Sequence, residues 1–302
     1  MKLKSLAIKG VAMMLILSGC SSSENKEKSK DSEVEETQES TKEKSKDSDE
    51  STKEIKEEFI GLYPVDIDGI YGYIDKTGKI VINPQFDYAF RFSEGLATVV
   101  IDGKYGYIDK TGQYVISPQF DWADIFSEGL AAVGVGDWDN KKWGYIDKTG
   151  QYIINPPFSY ACVFSEGLAG VLTDAGYGYI DKTGKIVINP QFDDADKFSD
   201  GLAIVGVGDL DNRKHGFIDK TGKIVINPQF DYAWRFSEGL AIIGVGDDLS
   251  DMIYGYIDKT GKIVINPQFD QAKDFSGGVA EVHINGEQYY IDKTGKFIYP
   301  KK

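Results

Sequence analysis

The chain has few of the residues that build disulfide scaffolds, metal centres and common catalytic sites. Its 302 residues include two cysteines and two histidines. Two cysteines cannot supply the several disulfides that hold small secreted scaffolds together. The histidines, His215 and His283, occupy different positions in the repeated units, and neither has a cysteine or histidine at metal-ligand spacing. The sequence therefore predicts no metal centre, no cofactor and no enzyme.

Basic residues and long hydrophobic runs are also scarce. Lysine and arginine total 34 against 48 acidic residues, which gives a net charge of −14. An acidic chain without a basic patch is a poor partner for nucleic acid. The apolar stretch Val11–Leu17 is too short to cross a bilayer as a permanent helix.

The first 20 residues, MKLKSLAIKGVAMMLILSGC, have the organisation of a secretory signal, with lysines ahead of a short apolar stretch. Leu17-Ser18-Gly19-Cys20 resembles the lipobox at which bacterial lipoproteins are processed. The resemblance implies removal of residues 1–19 as a lipoprotein signal peptide and diacylation of Cys20. Because two acyl chains suffice for stable anchoring, the predicted location is the extracytoplasmic face of the cell membrane.

Residues 20–58 are predicted to be a disordered acidic tether that begins with the lipidated cysteine. Residues 21–58 contain no aromatic residue and only two branched aliphatic residues, Val34 and Ile55. Fourteen acids against eight lysines give this stretch a net charge of −6. Such a composition cannot bury enough apolar surface to offset the entropy of ordering. The folded domain is therefore expected to span residues 59–302.

The rest of the chain is built from repeats. Asp-Lys-Thr-Gly occurs seven times, 34 to 39 residues apart, and each copy stands in the same order of flanking motifs. A period of this length indicates a repeat architecture. The seven copies begin at Asp75, Asp109, Asp147, Asp181, Asp219, Asp258 and Asp292.

One unit predicts a three-stranded antiparallel meander. Gly95–Ile101 and Tyr105–Ile108 are rich in β-branched and aromatic residues, and Asp102-Gly103 separates them as a turn. After the Asp-Lys-Thr-Gly turn, Tyr114–Ile116 supplies the third strand.

The end of the unit is less determined. Pro118 is expected to end the third strand, because proline has no N–H to donate to the ladder. The segment Gln119–Ser127 is compatible with either a fourth strand or one helical turn.

Both faces of the predicted strands are apolar, with Leu96, Thr98 and Val100 on one face and alanine, valine and isoleucine on the other. A sheet with one wet face would alternate apolar and polar residues. Each small sheet is therefore expected to be covered on both sides by its neighbours. The predicted fold is all-β, with seven tandem three-stranded repeats. Stacked sheets of this kind form either a closed β-propeller or an open β-solenoid, and the sequence slightly favours the propeller.

Three motifs recur along the units: a Phe-Ser-Glu-Gly-Leu-Ala stretch, an Ile-Asp-Lys-Thr-Gly stretch and an aromatic-glycine pair. Together they give the sequence a resemblance to the bacterial WG repeat that covers about 240 residues. Two units depart from it, at His215-Gly216 and at Tyr289-Tyr290. It implies a β-repeat architecture in envelope or secreted proteins and no defined activity. The aromatic-glycine pairs are Tyr71-Gly72, Tyr105-Gly106, Trp143-Gly144, Tyr177-Gly178 and Tyr254-Gly255.

Residues that recur in every unit are expected to serve the fold, because a catalytic residue is needed only once. Asp75, Glu94 and their equivalents are therefore predicted to be turn and capping residues. Functional residues are expected where the units differ. The longer units carry their extra residues between the first and second strands, so these insertions should share one face of the array, which commonly marks a binding face. The insertions are Gly136–Asn140, Gly208–Asn212 and Gly246–Asp251.

The insertions also contain weak candidates for calcium ligands. Asp137, Asp139, Asp209 and Asp211 supply carboxylate oxygens, but no following glycine and no ligand twelve residues on completes a calcium-binding loop. A solvated acidic hairpin is the favoured interpretation.

The second difference between units is the residue before the alanine of the Asp-x-Ala segment, which we name the slot residue. It is Tyr88, Trp122, Tyr160, Asp194, Tyr232 or Gln271. Exposed rings there could stack on sugars or dock a protein, whereas buried rings would fill gaps between sheets. The candidate ligand-binding residues are Tyr88, Trp122, Tyr160, Tyr232, Trp234 and Trp138.

These observations predict a non-catalytic binding module that presents loops and aromatic rings to a cell-wall glycan or an envelope protein. The alternative is a structural subunit of an envelope complex that binds no soluble ligand. A glycan hydrolase is the least favoured option, since it requires two carboxylates about 5–10 Å apart across one cleft.

Overall fold

A computed structural model of the protein describes residues 61–137, 140–246 and 251–299. The predicted signal peptide, Cys20 and the predicted tether lie outside the described residues. The described chain contains 27 strands in seven antiparallel sheets and no helix, so the predicted all-β class and the seven tandem units are confirmed.

The sheets follow one another in chain order. Sheet 1 has three strands: β1 (Tyr63–Ile67), β2 (Ile70–Ile74) and β3 (Ile80–Phe86). Sheet 2 contains β4 (Tyr88–Ala89), β5 (Ala97–Ile101), β6 (Lys104–Ile108) and β7 (Tyr114–Phe120). Sheet 3 contains β8 (Trp122–Ala123), β9 (Ala131–Val135), β10 (Lys142–Ile146) and β11 (Tyr152–Phe158). Sheet 4 contains β12 (Tyr160–Ala161), β13 (Leu168–Thr173), β14 (Gly176–Asp181) and β15 (Ile186–Phe192).

The last three sheets repeat this pattern. Sheet 5 contains β16 (Asp194–Ala195), β17 (Leu202–Val207), β18 (Lys214–Asp219) and β19 (Ile224–Phe230). Sheet 6 contains β20 (Tyr232–Ala233), β21 (Leu240–Val245), β22 (Ile253–Asp258) and β23 (Ile263–Phe269). Sheet 7 contains β24 (Gln271–Ala272), β25 (Val279–Ile284), β26 (Glu287–Asp292) and β27 (Phe297–Tyr299).

Six of the sheets therefore have a fourth strand beyond the predicted meander. It is two residues long, and we name it the leading strand, since it precedes the first strand of the meander. In sheet 3 the leading strand is Trp122–Ala123, which pairs with Gly134 and Val133. This settles the open choice for Gln119–Ser127 in favour of a strand. One residue after the third strand of a sheet ends, the leading strand of the next sheet begins. The chain therefore passes from each sheet to the next at this point.

The prediction that Pro118 ends the third strand is wrong. Strand β7 continues to Phe120, because a bulge carries the proline past the ladder. Tyr107 pairs with Ile116 and Tyr105 pairs with Phe120. The third strand therefore advances four residues where the second strand advances two. The extra residues need no ladder hydrogen bond from Pro118, since a bulged segment lies outside the regular pairing.

The Asp-Lys-Thr-Gly turns confirm the predicted capping role of their aspartates. One carboxylate oxygen of Asp109 accepts hydrogen bonds from the amide and hydroxyl of Thr111 and from the amide of Gln113, at 2.6–3.1 Å. These bonds to the charged form hold the pKa of Asp109 below its usual value. Gly112 then takes a φ of 85°, which glycine adopts without steric cost.

Face-to-face packing of consecutive sheets forms the core. Between sheets 2 and 3, Tyr107, Ile116 and Phe120 pack against Ala131 and Val133, and all five are buried. Six such clusters lie between the seven sheets. The expectation that both faces of the inner sheets are covered is therefore confirmed.

Polar contacts tie each sheet to the next. The hydroxyl of Ser127 donates to the carbonyl of Phe164 at 2.7 Å, and the Gly167 amide donates to Glu128 at 3.1 Å. Lys182 forms an ion pair with the same glutamate at 3.1 Å. The same three contacts recur at the other interfaces from sheet 2 to sheet 7. The Glu94 equivalents are thus turn residues that also link sheets, which explains their repetition.

The two ends of the array differ from its middle. On sheet 1 the outward-facing Tyr63 is 47% exposed, whereas the equivalent Ala97 of sheet 2 is fully buried. On sheet 7 the outward-facing Glu281 pairs with Lys273 at 2.9 Å, where Thr98 of sheet 2 is buried. Among the described residues, no core cluster joins sheet 7 to sheet 1. Closure into a propeller stays a prediction.

Candidate functional site

The slot residues begin the leading strands, and each lies opposite a residue of the first strand. Trp122 pairs with Gly134, Tyr232 with Gly244, and Tyr88 with Val100. Most slot side chains are partly buried, and only the last is exposed. The partly buried slot residues are Tyr88, Trp122, Tyr160, Asp194 and Tyr232, and the exposed one is Gln271.

The slot rings pack against other aromatic rings. The Tyr88 ring centroid lies 4.8 Å from that of Tyr71 and 4.9 Å from that of Phe90. Tyr232 lies nearly parallel to Trp234, with centroids 6.2 Å apart. This packing agrees with the expectation that the rings fill gaps between sheets, and it leaves less ring surface for stacking on sugars.

The three long hairpins connect the first and second strands of sheets 3, 5 and 6, as the repeat spacing predicts. Each returns a side chain over the slot residue of its own sheet. The Lys141 ammonium lies 4.1 Å from the centroid of the Trp122 ring. A guanidinium nitrogen of Arg213 lies 3.7 Å from a carboxylate oxygen of Asp194. The slot residues of these sheets are thus covered by the insertions rather than left open.

A glycine opposite each covered slot residue makes room for the covering side chain. A Cβ atom on Gly206 would lie 2.7 Å from Cδ of Arg213, and one on Gly244 would lie 2.6 Å from Sδ of Met252. The sheets with short hairpins carry side chains at that position, namely Val100, Leu172 and His283. The Gly-Val-Gly-Asp stretch, which all three long units share, contains this signal.

In sheet 5 the slot is polar instead of aromatic. Asp194 occupies the slot, and Nε2 of His215 lies 3.7 Å from its carboxylate. His215 replaces the aromatic residue of the Tyr-Gly and Trp-Gly pairs, and its Nδ1 lies 3.1 Å from the carbonyl oxygen of Asp231. The two departures from the repeat, Asp194 and His215, therefore occur together and lie in contact.

A second group of variable residues follows the leading strands. Asp196 is 2% exposed and lies 3.9 Å from a guanidinium nitrogen of Arg235. Burial raises the pKa of Asp196 to about 6, while the neighbouring Arg235 opposes that rise. Burial also raises the pKa of Asp124 and lowers that of Lys197.

Asp124 of sheet 3 and Lys197 of sheet 5 attract each other across the intervening sheet 4. Sequence reasoning missed Asp124, Asp196, Lys197 and Arg235. Its own criterion, difference between units, would have found them, because Phe90 and Cys162 stand at the position of the two aspartates.

The remaining predicted site residues lie on exposed hairpins or outside the described chain. Asp137, Asp209 and Asp211 are exposed, and Trp138 and Asp139 are outside the described residues. In the described ranges, no three His, Cys, Asp or Glu side chains come together as metal ligands. Those ranges also contain no helix long and apolar enough to span a bilayer.

Several solved structures have a similar arrangement at very low identity. The uncharacterized protein lmo1340 from Listeria monocytogenes EGD-e is 10% identical, with a TM-score of 0.48 over 78% of this chain and 89% of that one. KlHsv2 with loop 6CD replaced by a Gly-Ser linker is 8% identical, with a TM-score of 0.44 over 67% and 75%.

An acylaminoacyl peptidase from Pyrococcus horikoshii is 10% identical, with a TM-score of 0.45 over 77% of this chain and 51% of that one. Likenesses at this level say nothing about activity. No curated protein matches the chain.

The profile described as "WG containing repeat" matches the chain six times and covers more than half of it. Each match begins in or beside the second strand of one sheet and runs to the first or second strand of the next, so the six matches correspond to the six sheet interfaces. The matched residues are 71–105, 105–137, 143–175, 177–210, 216–247 and 254–287. The chain therefore belongs to the WG containing repeat family.

Proposed function

We propose that the protein is a non-catalytic binding module, anchored by lipid at the extracytoplasmic face of the membrane, that holds an envelope glycan or an envelope protein. One observation carries this proposal: residues at the sheet interfaces are repeated, whereas the covered slots all differ. Sheet 3 combines Trp122 with Lys141, and sheet 5 combines Asp194 with Arg213. Sheet 6 places Met252 beside Tyr232. A scaffold with constant interfaces and varied slots is suited to recognising a composite ligand at the slots.

The proposed location rests on the N-terminal sequence. The apolar stretch that ends in Leu17-Ser18-Gly19-Cys20 supports lipidation of Cys20, and the acidic segment that follows supports a tether. Radiolabelled palmitate should be incorporated by the wild type and not by Cys20→Ser. Labelling of both proteins alike would contradict the anchor.

The proposed absence of catalysis is supported by the contacts of the buried acids. Asp196 has Arg235 beside it, and Asp194 has Arg213 and His215 beside it. Perturbed pKa values occur in structural ion pairs as well as in active sites.

The structural-subunit alternative is favoured by a different observation, the coverage of the slot rings by Tyr71, Phe90 and Tyr254. If the rings serve only to join sheets, their removal lowers stability and changes no binding.

The experiment that separates these functions is co-sedimentation of the full-length protein, in detergent micelles, with purified cell walls. The comparison is with Trp122→Ala/Tyr232→Ala and with the control Tyr299→Ala, which removes a 67% exposed ring far from any slot. Pelleting of the wild type and the control but not of the double variant supports a glycan-binding slot. If none of the three proteins pellets, the ligand is not a cell-wall glycan, and an envelope protein is the remaining proposed partner.

A further inference from the structure

The slot of sheet 3 is an aromatic cage around a cation. The Lys141 ammonium lies 4.1 Å from the centroid of Trp122 and 5.2 Å from that of Trp143. Tyr105 stacks on Trp122 at 6.0 Å, and Tyr160 meets Trp143 edge-on at 5.7 Å. Indole rings attract ammonium groups through their negative faces. The cage has the chemistry of an ammonium-binding site.

The cation in this cage belongs to the long hairpin and not to the sheet. Lys141 directly precedes β10, and the hairpin before it is the insertion that short units lack. Burial lowers the pKa of Lys141, so part of the ring attraction is spent on desolvating its ammonium. Because this cost weakens the net attraction that holds Lys141, a second ammonium can compete with it for the rings.

The cage also contains an unsatisfied hydrogen-bond donor. Trp143 is 7% exposed, and its indole Nε1–H has no hydrogen-bond partner in the described part of the chain. Cε2, which carries this nitrogen, would lie 3.2 Å from a Cβ on Gly134, and Cδ of Lys141 would lie 3.3 Å from the same point. The donor edge therefore borders the lysine. A donor that is buried and unpaired is destabilising, and an acceptor oxygen from a ligand would remove that cost.

The slots of the other long units show that the covering residue is matched to its slot. Arg213 lies 3.7 Å from the carboxylate of Asp194. In sheet 6, Sδ of Met252 and Cβ of Tyr232 lie 2.6 and 3.0 Å from the point where a Cβ on Gly244 would stand. Each hairpin thus places on its slot a group that the slot is suited to bind. In sheet 3 that group is an ammonium, which indicates the ligand chemistry of the slot.

We propose that the Trp122/Trp143 cage binds an amino alcohol in exchange for Lys141, with the ligand's ammonium on the indole rings and its hydroxyl oxygen on the Trp143 N–H. This deepens the proposed function, since it names a ligand class for one slot of the binding module. An amino sugar and an ethanolamine headgroup share this chemistry. The lysine acts as a self-ligand that holds the cage in shape until the ligand arrives.

The test is a titration of the full-length protein, labelled with 15N at tryptophan, in detergent micelles at pH 6.5. The four tryptophans give four indole N–H signals, which are assigned by single Trp→Phe variants. Glucosamine and ethanolamine are added separately, with sodium chloride at matched ionic strength as the blank. The Trp122 and Trp143 signals should move with saturation. The midpoint should fall about fivefold in Lys141→Ala, the factor that corresponds to removing about 1 kcal/mol of competing cation–π attraction.

Three controls keep the test decisive. Arg213→Ala uncovers a slot with a carboxylate and no indole, so it should leave the midpoint unchanged. Trp122→Ala should abolish the shift of the Trp143 signal, and an unmoved signal from Trp234 in sheet 6 shows that the fold is intact. n-Propylammonium, which has no hydroxyl, should bind several-fold more weakly than ethanolamine.

Two results would overturn the proposal: no movement of the Trp122 and Trp143 signals in Lys141→Ala, or equal midpoints for n-propylammonium and ethanolamine. Tighter binding of glucosamine identifies a sugar source, and tighter binding of ethanolamine identifies a headgroup source. If the protein pellets with cell walls but glucosamine and ethanolamine shift no tryptophan signal, the amino-alcohol proposal is wrong and the proposed binding function stands. If an amino alcohol shifts the signals but the protein does not pellet, the amino-alcohol proposal stands and the cell wall is not the ligand.

Discussion

Gly106 lies so close to Pro118 that no side chain fits between them. A Cβ atom on Gly106 would be 2.6 Å from the proline nitrogen and 2.7 Å from the carbonyl oxygen of Ile116. The bulge of the third strand presses on the second strand at this point. The glycine of the aromatic-glycine pair and the proline of the third-strand bulge are in direct contact, which explains why they recur together.

We expect Gly106→Ala to destabilise the protein by about 1–3 kcal/mol, since the clash is with main-chain atoms that cannot move alone. The matched control is Gly170→Ala, another strand glycine, where the nearest atom to a Cβ is Sγ of Cys162 at 3.6 Å. Urea unfolding followed by fluorescence measures both. Equal stability of the two variants would show that the bulge yields and that the glycine has another role.

Sheet 7 departs from this pattern at the glycine position. Tyr289 stands there, opposite Val282, and its ring packs on Phe297 at 5.3 Å.

The buried tyrosines of the second strands should contribute through their hydroxyls. Tyr145 is fully buried, and its hydroxyl donates to the carbonyl of Cys162 in the next sheet at 2.7 Å. Tyr145→Phe should cost about 1 kcal/mol, because the carbonyl loses a partner away from water. Sheet 5 carries Phe217 at this position, so Phe217→Tyr should cost nothing or add stability. Thermal unfolding of both variants tests this, and a large loss in Phe217→Tyr would contradict it.

The sequence predicted the meander and the turns well, because their signals are local. Asp109 and Gly112 carry the turn chemistry within four residues, and the Gly95–Ile101 strand has β-branched residues throughout. The leading strand Trp122–Ala123 escaped prediction, since two residues show no periodicity. Its pairing with Gly134 depends on where the chain crosses to the next sheet.

The site was only partly predictable for a related reason. Difference between units correctly singled out Trp122 and the long hairpins as variable. Whether Trp122 is exposed depends on Lys141 and on Tyr105 of the preceding sheet, and such contacts between sheets have no sequence signature of their own. The buried ion pair of Asp196 and Arg235 was missed because acidic residues are common throughout this chain.

Asp196 should make the stability of the protein depend on pH between its ordinary pKa of 3.8 and its raised pKa of about 6. In that window the folded state keeps a proton that the unfolded chain releases. The contribution is therefore fully present below pH 3.8 and is lost as the pH rises through 6. Asp196→Asn removes this dependence, so its stability relative to the wild type should improve by up to about 3 kcal/mol between pH 4 and pH 7. Urea unfolding at four pH values measures the difference, and a constant difference would exclude the raised pKa.

The stability cost of replacing the glycine opposite a covered slot should depend on the length of the hairpin. In sheet 5, Gly206→Val should destabilise by about 1–3 kcal/mol, because its Cβ would lie 2.7 Å from Cδ of Arg213. Replacing Gly208–Arg213 with Asp-Gly, the turn that joins β5 to β6 in sheet 2, removes that side chain. Val100 then shows that a valine fits opposite a slot residue when the hairpin is short. The cost of Gly206→Val should accordingly fall by at least about 0.5 kcal/mol in the shortened background, as a double-mutant cycle measures. Additive effects would mean that Arg213 does not determine the glycine.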